Sequence, residues 1–333
     1  MVSTVAVLLA GGTGTRLYPA SRSDRPKQFL AFGDDDRSLL RRAADRAAFA
    51  DELYVVTRDG FADEVRDHVP EAAVLTEPAA KDTGPALAYA SYRVRERVGD
   101  AVVCALPADH VVGDGFRDAV RRGCRVATER DRLVTFGVEP DRPATEYGYV
   151  EPDASHGSYA DVADFCEKPD PETAAALVDA GCLWNAGMFA WRPDVFLEEA
   201  GTGPLAPLVD ALREGDPERG YAAVDPVSVD YAVMERTERA AVVPVEFAWD
   251  DLGSWDALER LLGTDADGNA LASDALTRDA AGNVVASDDK HVSLVGVDDL
   301  VVVAYDDRVL VVPKSESQRV RDVVAALRAD DAF

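Results

Sequence analysis

The chain has 333 residues, of which 47% are hydrophobic, so one large α/β domain and a smaller one can each bury a core. A net charge of −27 excludes the basic face that a nucleic-acid-binding protein needs. No apolar run reaches about 18 residues, and no basic segment precedes the first apolar run. We therefore expect neither a membrane span nor a signal peptide, and a cytoplasmic location.

Lysine is scarce in this acidic chain, with five lysines against thirty arginines. An acidic, lysine-poor surface is typical of adaptation to high salt, where ions screen the self-repulsion of the protein. A GC-rich genome would also favour arginine over lysine, but it explains the excess of acidic residues less well. We therefore expect a halophilic, haloarchaeal source.

The four cysteines and four histidines are scattered and contain no C-x-x-C pair. Cys104 and Cys166 lie among apolar residues, which favours buried free thiols. The histidine spacing does not indicate a zinc site.

The first half alternates strand and helix patterns. Val5–Ala10 is an unbroken apolar run typical of a central parallel strand, and Ser38 is expected to cap a helix that continues to about Phe49. Further strands are predicted at Leu53–Thr57, Val74–Glu77 and Val102–Leu106, with a helix at Gly84–Val98. This order predicts an α/β fold with a doubly wound, mostly parallel, Rossmann-like sheet and with functional residues at the carboxyl ends of its strands.

From residue 133 the pattern changes to strands with longer loops, and the chain then returns to a helix at Leu252–Leu262. The predicted strands are Leu133–Gly137, Tyr147–Glu151, Val162–Glu167, Met188–Trp191 and Ala241–Glu246. Insertions of this kind commonly build the pocket for a second substrate.

The composition becomes polar and turn-rich at Asp265–Asp279, which we interpret as a linker. Short strands follow at Asn283–Ala286, Val292–Val297, Leu300–Tyr305 and Val309–Val312. A last helix is expected to begin near Ser315, with Gln318 completing a capping box. We therefore divide the chain into a domain of residues 1–263 and a small C-terminal β-rich domain of residues 264–333.

The first strand ends in the most informative segment of the chain, a glycine-rich turn. Glycines allow backbone N–H groups to approach an anion closely, and a following helix N-terminus would add partial positive charge. Arg16 and Lys27 then supply full charges. The residues expected to hold nucleotide phosphates are Leu9, Ala10, Gly11, Gly12, Thr13, Gly14, Thr15, Arg16 and Lys27.

Two other phosphate-binding loops do not fit this turn. A P-loop requires a Gly-Lys pair, which does not occur anywhere in the chain. A dinucleotide fingerprint requires a third glycine where Leu17 stands.

The segment Leu8–Arg16, followed by Pro26-Lys27-Gln28-Phe29-Leu30, resembles the sugar-1-phosphate nucleotidyltransferases. The PKQFL form resembles their mannose-1-phosphate guanylyltransferase branch. The other motifs follow in the family's order along nearly the whole chain. The resemblance implies a β-helix-like C-terminal domain and suggests a homodimer.

Two aspartates are candidate ligands for Mg²⁺. Asp109 follows an apolar strand in Leu106–His110, and one or two carboxylates with several waters suit this hard ion. The family's second metal-binding aspartate aligns with Asp251, in Phe247–Trp255. The alternative for both residues is a turn or helix-capping role.

Two further motifs resemble the family's sugar pocket, namely Phe165–Pro169 and Leu183–Phe189. A lysine suits a sugar phosphate as a point charge, a carboxylate accepts from sugar hydroxyls, and a carboxamide can both donate and accept. The resemblance extends to the turn Thr145–Tyr149, where Glu146 stands in place of the usual glycine. The expected sugar-phosphate-binding residues are Gly148, Glu167, Lys168, Asn185 and Gly187.

The segment Glu77–Ala86 resembles the family's E-P-x-x-R-N-T-A-P-A turn near the nucleobase, and it adds Asp82, Thr83 and Pro85 to the expected nucleotide site, together with Asp109. Lys81 and Asp82 stand where Arg and Asn are usual, so base selectivity is the least constrained inference. Ser228–Glu235 resembles S-I-D-Y-A-V-M-E, and the alternative interpretation is a capped amphipathic helix behind the pocket.

The resemblance implies transfer of GMP from GTP to mannose 1-phosphate with Mg²⁺, giving GDP-mannose and pyrophosphate. The expected catalytic residues are Arg16, Lys27, Asp109 and Asp251. Alternatives are a uridylyl- or thymidylyltransferase of glucose 1-phosphate, or a non-catalytic regulatory paralogue. Phosphomannose isomerase activity is not expected from 333 residues.

Overall fold

The fold is described by a computed structural model covering residues 2–32, 36–330 and 333. Its strands, numbered in chain order, are β1 Ser3–Leu9, β2 Glu52–Arg58, β3 Ala73–Glu77, β4 Ala101–Pro107, β5 Val111–Val112, β6 Leu133–Val138, β7 Tyr149–Ser155, β8 Ala160–Cys166, β9 Leu183–Trp191, β10 Ala240–Val245, β11 Trp249–Asp250, β12 Ala270–Leu271, β13 Ala275–Arg278, β14 Val284–Ser287, β15 Val292–Val295, β16 Leu300–Tyr305 and β17 Arg308–Pro313.

The α-helices are α1 Leu39–Arg46, α2 Ala62–His68, α3 Thr83–Val98, α4 Phe116–Arg130, α5 Pro171–Asp179, α6 Pro193–Ala200, α7 Ala206–Arg213, α8 Pro217–Ala222, α9 Ala257–Leu262 and α10 Val320–Ala329. Short 3₁₀ helices lie at Thr15–Leu17, Lys27–Phe29, Asp59–Phe61 and Lys314–Arg319, and a single π-helical turn lies at Asp230–Met234. Within the described residues, no helix is long and apolar enough to cross a membrane.

Two compact units are present. The first consists of Met1–Gly11, Ala43–Ala108 and Val112–Trp249, and the second of Gly12–Arg42, Asp109–Val111 and Asp250–Phe333. The second unit therefore contains most of the glycine-rich turn as well as the C-terminal strands.

A nine-stranded mixed sheet forms the first unit, in the order β3-β2-β1-β4-β9-β6-β10-β8-β7. The four strands from β3 to β4 are parallel, as predicted, whereas β9 lies antiparallel between β4 and β6. Leu9 at the end of β1 is in register with Pro107 at the end of β4, and the Ala108 N–H donates to the Leu9 carbonyl over 3.1 Å. The segments that follow the two strands therefore begin side by side at one edge of the sheet, as Rossmann-like topology requires.

The C-terminal strands of the second unit stack in parallel steps. Ala270 pairs with Val284, which pairs with Val301, so each strand lies beside its counterpart in the next coil. Buried Asn269 and Asn283 stack below them, and the Asn283 Nδ2 donates to the Asn269 Oδ1 over 3.0 Å. This is the β-helix-like arrangement that was expected.

The segment Gly12–Arg42 packs into the same core as the C-terminal strands. Trp255 is fully buried, and its indole N–H donates to the Tyr18 carbonyl over 2.9 Å. Arg22 and Arg25 both pair with Asp306 at 2.9 Å. The segment after the glycine-rich turn is therefore held by apolar packing and by ion pairs within this unit.

Several local predictions were wrong. A 3₁₀ turn at Thr15–Leu17, and no α-helix, follows the glycine-rich turn. The helix expected at Leu252–Leu262 begins only at Ala257, and α10 begins at Val320 with no side-chain cap, so Ser315 and Gln318 form no capping box for it. The expected linker contains β12 and β13.

Other local predictions were confirmed. The Ser38 Oγ accepts from the Arg41 N–H over 3.1 Å and caps α1, which ends at Arg46 rather than near Phe49. The four cysteines are free; Cys104, Cys124 and Cys182 are buried and Cys166 is half-buried.

Candidate active site

The glycine-rich turn starts from a fixed point on the sheet. The Ala10 N–H donates to the Val56 carbonyl over 2.9 Å, and the Thr57 hydroxyl donates to the Ala10 carbonyl over 3.0 Å. Gly11 then passes so close to Glu77 that an added Cβ would lie 3.0 Å from its Oε1, whereas a Cβ on the exposed Gly12 would meet nothing within 4 Å. The backbone at Gly12 is therefore open to an approaching ligand.

Gly14 is required by its backbone and by its neighbour. Its φ is +62°, in the left-handed region that favours glycine, and a Cβ there would overlap the Cβ of Lys27. The Ser21 hydroxyl donates to the Gly14 carbonyl over 2.5 Å and fixes this geometry. The glycine therefore allows the lysine stem to pass directly behind the turn.

Lys27 brings two predicted aspartates together. Its side chain is only 7% exposed, and its Nζ lies 2.9 Å from the Asp109 Oδ2 and donates to the Asp251 carbonyl over 2.5 Å. Burial by itself would raise the pKa of Asp109, but the charges of Lys27 and His110 outweigh burial and hold the pKa below its ordinary value. The Asp109 carboxylate is therefore ionised at neutral pH.

Asp250 and Asp251 shape a turn and do not cap α9. The Asp250 Oδ1 accepts from the Leu252 N–H over 2.7 Å, and the Asp251 Oδ1 accepts from the Gly253 N–H over 2.9 Å. A Cβ on Gly253 would lie 2.7 Å from the Asp251 Oδ2, so glycine leaves room for this carboxylate. Asp250 is instead paired with Arg260 at 2.5 Å. Of the two aspartates, Asp251 is the one whose backbone carbonyl meets Lys27.

Arg16 lies in the 3₁₀ turn immediately after Gly14 and Thr15. It is half-buried and makes no hydrogen bond or ion pair with the rest of the described chain. A guanidinium has five N–H donors, and in a protein with a net charge of −27 an unpaired one is unusual. Its donors are therefore available to an anionic ligand.

The candidate nucleobase turn starts α3. Asp82 has a φ of +69° and a ψ of −176°, a backbone region that residues other than glycine rarely adopt. Its Oδ1 accepts from the Thr83 N–H over 2.7 Å. Pro85 is buried in the first turn of α3. The Lys81 Nζ donates to the Val224 carbonyl over 2.7 Å, so this lysine is used in holding a neighbouring segment.

Glu77 is a buried acid at the end of β3 that did not appear among the predicted site residues. The Tyr221 hydroxyl donates to its Oε2 over 3.1 Å, and burial raises the pKa of Glu77 to about 7 in spite of this bond. A buried acid beside Gly11 is a feature of functional sites. Its sequence signals were its place at the end of an apolar strand and at the first position of the Glu77–Ala86 motif, of which only Asp82, Thr83 and Pro85 were expected site residues.

Gly148, Glu167 and Lys168, three of the residues expected to bind the sugar phosphate, lie together. The Glu167 carboxylate lies against Gly148, in the space that a Cβ would fill, and it also pairs with the neighbouring Lys168. The Lys168 side chain is 61% exposed and its φ is +46°, a strained value for a lysine. Glu146, which departs from the family pattern, pairs with Arg142 at 2.8 Å.

Asn185 makes most of its hydrogen bonds within the protein. Its Oδ1 accepts from the Thr135 hydroxyl over 2.7 Å and from the Gly187 N–H over 3.1 Å, and its Nδ2 donates to the Asp230 Oδ1 over 2.9 Å. Its side chain is buried. Asn185 therefore orders the pocket around Asp230 and has at most one N–H left for a ligand, where a free donor and acceptor were expected.

The residues present suit a hard divalent cation. Asp109 and Asp251 supply carboxylate oxygens, and the Gly253 contact leaves space for the second of them. Within residues 2–32, 36–330 and 333, no three His, Cys, Asp or Glu side chains form a preformed metal cluster. Mg²⁺ commonly binds through one or two carboxylates and takes its remaining ligands from water and substrate phosphates, so the donor set fits.

A Rossmann-like sheet with a glycine-rich turn after its first strand, followed by a buried lysine between two aspartates, defines the class of nucleotide-binding α/β enzymes. The profile of the nucleotidyl transferase family matches residues 5–267, and that of the MannoseP isomerase/GMP-like β-helix domain matches residues 274–327. The chain belongs to the nucleotidyl transferase family.

Curated relatives and a solved structure agree with this assignment. A mannose-1-phosphate guanylyltransferase of Sinorhizobium fredii is 35% identical over 98% of this chain and 68% of its own length. The xanthan biosynthesis protein XanB of Xanthomonas campestris is 36% identical over 99% of this chain and 74% of its own length. A crystal structure described as mannose-1-phosphate geranyltransferase from Thermus thermophilus superposes with a TM-score of 0.92 at 35% identity, covering 98% of this chain and all of that one.

Proposed function

We propose that the protein transfers GMP from GTP to α-D-mannose 1-phosphate, releasing pyrophosphate and forming GDP-mannose. The observation that carries the chemistry is the Lys27 ammonium between the Asp109 carboxylate and the Asp251 carbonyl, directly behind Gly14 of the glycine-rich turn. The choice of substrates is supported by relatives named mannose-1-phosphate guanylyltransferase, which are about 35% identical over nearly the whole chain.

In the proposed reaction, a phosphate oxygen of mannose 1-phosphate attacks the α-phosphorus of GTP. The new O–P bond forms as the bond to the bridging oxygen of pyrophosphate breaks, and the electron pair leaves with pyrophosphate. The nucleophile is already anionic, so no general base is required. The barrier lies in bringing polyanions together and in stabilising the charge that develops on the leaving group.

The backbone N–H groups of Gly11–Thr15 hold the nucleotide phosphates in this proposal. Arg16 contributes unpaired donors, and Lys27 is a fixed cation that Gly14 and Asp109 hold in one position. Because the Lys27 side chain is almost excluded from water, its charge acts at low local dielectric and needs no reorganisation during the reaction.

Asp109 and Asp251 are the residues that would hold Mg²⁺, which would neutralise phosphate charge when bound. On the sugar side, Lys168 takes the sugar phosphate and Glu167 accepts from sugar hydroxyls, while Gly148 and Gly187 leave room for the ring. Asp82, Thr83 and Pro85 flank the base. These residue assignments are proposals that mutagenesis can test one at a time.

The direct test is release of pyrophosphate across a grid of nucleoside triphosphates and sugar 1-phosphates, with Mg²⁺, at low and at molar KCl. Turnover confined to GTP with mannose 1-phosphate is the expected result. Turnover with another pair would identify that pair as the substrates. It would also indicate that Lys81, Asp82 and Glu146, which depart from the family pattern, change the substrate selectivity. Tight GDP-mannose binding without turnover in any pair would refute the proposal in favour of a regulatory role.

A further inference from the structure

Asp230 is a half-buried carboxylate that none of the roles above uses. It begins the π-helical turn Asp230–Met234, and such turns are rare but are frequent at functional sites. Among the described residues, Asn185 is the only side chain that donates a hydrogen bond to it. The sequence signal was the Ser228–Glu235 motif, for which a purely structural helix was the alternative.

The orientation of the Asn185 carboxamide is fixed. Two donors, the Thr135 hydroxyl and the Gly187 N–H, converge on its Oδ1. The Nδ2 must therefore face Asp230, where it donates over 2.9 Å. One edge of the Asp230 carboxylate is thus held, and the group has acceptor capacity that Asn185 alone does not fill.

A short segment places Asp230 beside this amide. The Val227 N–H donates to the Lys81 carbonyl over 3.2 Å, the Gly84 N–H donates to the Val227 carbonyl over 3.0 Å, and the Val229 N–H donates to the Thr83 hydroxyl over 2.9 Å. A Cβ on Gly84 would lie only 2.7 Å from the Val227 carbonyl, so glycine is needed for this approach. The backbone before Asp230 is therefore anchored to the start of α3.

Asp230 shares its surroundings with a second acid, Glu167. The negative charge of Glu167 acts on Asp230, and Lys168 is the nearby cation and already pairs with Glu167. Burial, together with Glu167, raises the pKa of Asp230 to about 7. Two neighbouring acids repel each other, and a ligand with several O–H donors would offset this cost by donating hydrogen bonds to them.

We propose that Asp230 is a specificity-determining residue of the sugar pocket, accepting hydrogen bonds from hydroxyls of the hexose beside Glu167. This inference rests on the proposed function, because the hydroxyl-bearing ligand is the sugar 1-phosphate. The polyol end of the sugar faces the two carboxylates, and its phosphate faces Lys168.

The substitution Asp230→Asn tests this proposal, because the direction in which the KM for mannose 1-phosphate changes distinguishes a lost charge from a lost acceptor. The side chain would turn its amide oxygen toward the Asn185 Nδ2 and present an NH₂ donor where an acceptor had been. Loss of a negative charge alone should strengthen binding of an anionic sugar phosphate, whereas loss of the acceptor should weaken it. We expect the KM for mannose 1-phosphate to rise about tenfold while the KM for GTP stays unchanged.

Glu235→Gln is the matched control, because Glu235 ends the same segment and lies near Glu167 without touching Asn185. That variant should leave the KM for mannose 1-phosphate unchanged or lower it. Assays are run well above pH 7, where Asp230 is ionised. A KM for mannose 1-phosphate that falls or stays constant in Asp230→Asn would overturn the proposal.

Deoxy analogues of mannose 1-phosphate, each lacking one ring hydroxyl, give a second readout. The parent enzyme should disfavour at least one of them about tenfold, and Asp230→Asn should lose that preference. An unchanged preference would contradict the proposal, and Asp230→Ser replaces Asp230→Asn if the latter does not fold. Absence of turnover in the parent enzyme would instead refute the proposed function, so the two failures are distinguishable.

Discussion

Replacing Lys27 with glutamine removes the charge between Asp109 and Asp251 while keeping most of the side chain's length. The Lys27 Nζ contacts both the Asp109 Oδ2 and the Asp251 carbonyl, and its side chain is 7% exposed. The variant therefore isolates the effect of one fixed positive charge.

The cost in stability follows from the exposure of the two partners. Removing one partner of a fully buried pair costs about 3–5 kcal/mol. The Asp109 side chain is 31% exposed, so water can solvate much of the uncompensated charge, and we expect a loss of about 1–2 kcal/mol. Turnover should fall much further, by about 10²–10³, because a fixed group that stabilises developing charge acts only in the transition state.

Pyrophosphate release with GTP and mannose 1-phosphate measures turnover, and thermal unfolding measures stability. Lys314→Gln is the control, because the Lys314 Nζ makes an ion pair with Glu259 at 2.7 Å in the same unit and neither residue is among those proposed to bind substrate. It should lose little stability and no turnover. A Lys27→Gln enzyme that keeps turnover within about threefold of the parent would refute the catalytic role of Lys27.

Three further perturbations test the glycine-rich turn, Asp109 and the surface charge. Gly14→Ala should cost about 2 kcal/mol or more of stability, since the alanine must adopt a φ of +62° and overlap Lys27. Gly12→Ala should unfold like the parent, and equal thermal midpoints for the two variants would contradict this. The Asp109 carboxyl has a pKa below its ordinary value of 3.8, so its stabilising effect is present above that value and is lost as pH falls through the lowered pKa. In an acid titration, Asp109→Asn should therefore lose less of its free energy of unfolding than the parent. Molar KCl should raise the thermal midpoint, because salt screens the repulsion within a net charge of −27, and an unchanged midpoint would refute adaptation to salt.

The strands of the first unit could be predicted because their sequence signal is local. Runs such as Val5–Ala10 and Val102–Leu106 are buried on both faces, so they read as continuous apolar segments bounded by polar residues. The position of β9 could not be predicted in this way. An apolar strand carries no local signal for its neighbours, and β9 lies antiparallel to β4 because the preceding insertion returns the chain in that direction.

The errors at helix boundaries have a common cause in side-chain bonds to the backbone. The helix was predicted to begin at Leu252, directly after Asp250 and Asp251, which were its candidate capping residues. The carboxylates of Asp250 and Asp251 instead accept from N–H groups two residues ahead, which delays α9 until Ala257. In the same way, the polar segment at Asp265–Asp279 contains strands because Asn269 stacks on Asn283 in the next coil, a contact that a local pattern does not reveal.

Some residues of the candidate site could be predicted from local sequence, whereas others depend on partners that are distant in the chain. Lys27, Asp109 and Asp251 each follow an identifiable turn or strand, so their residue types and positions already pointed to phosphate and metal chemistry. Asp230 and Glu77 gave weaker signals, because the meaning of a buried carboxylate depends on its partners. Those partners are Asn185 for the first and Tyr221 for the second, and both come from distant parts of the chain. An acid that accepts only one side-chain hydrogen bond in a half-buried pocket retains capacity for a ligand, and only the folded arrangement reveals this capacity.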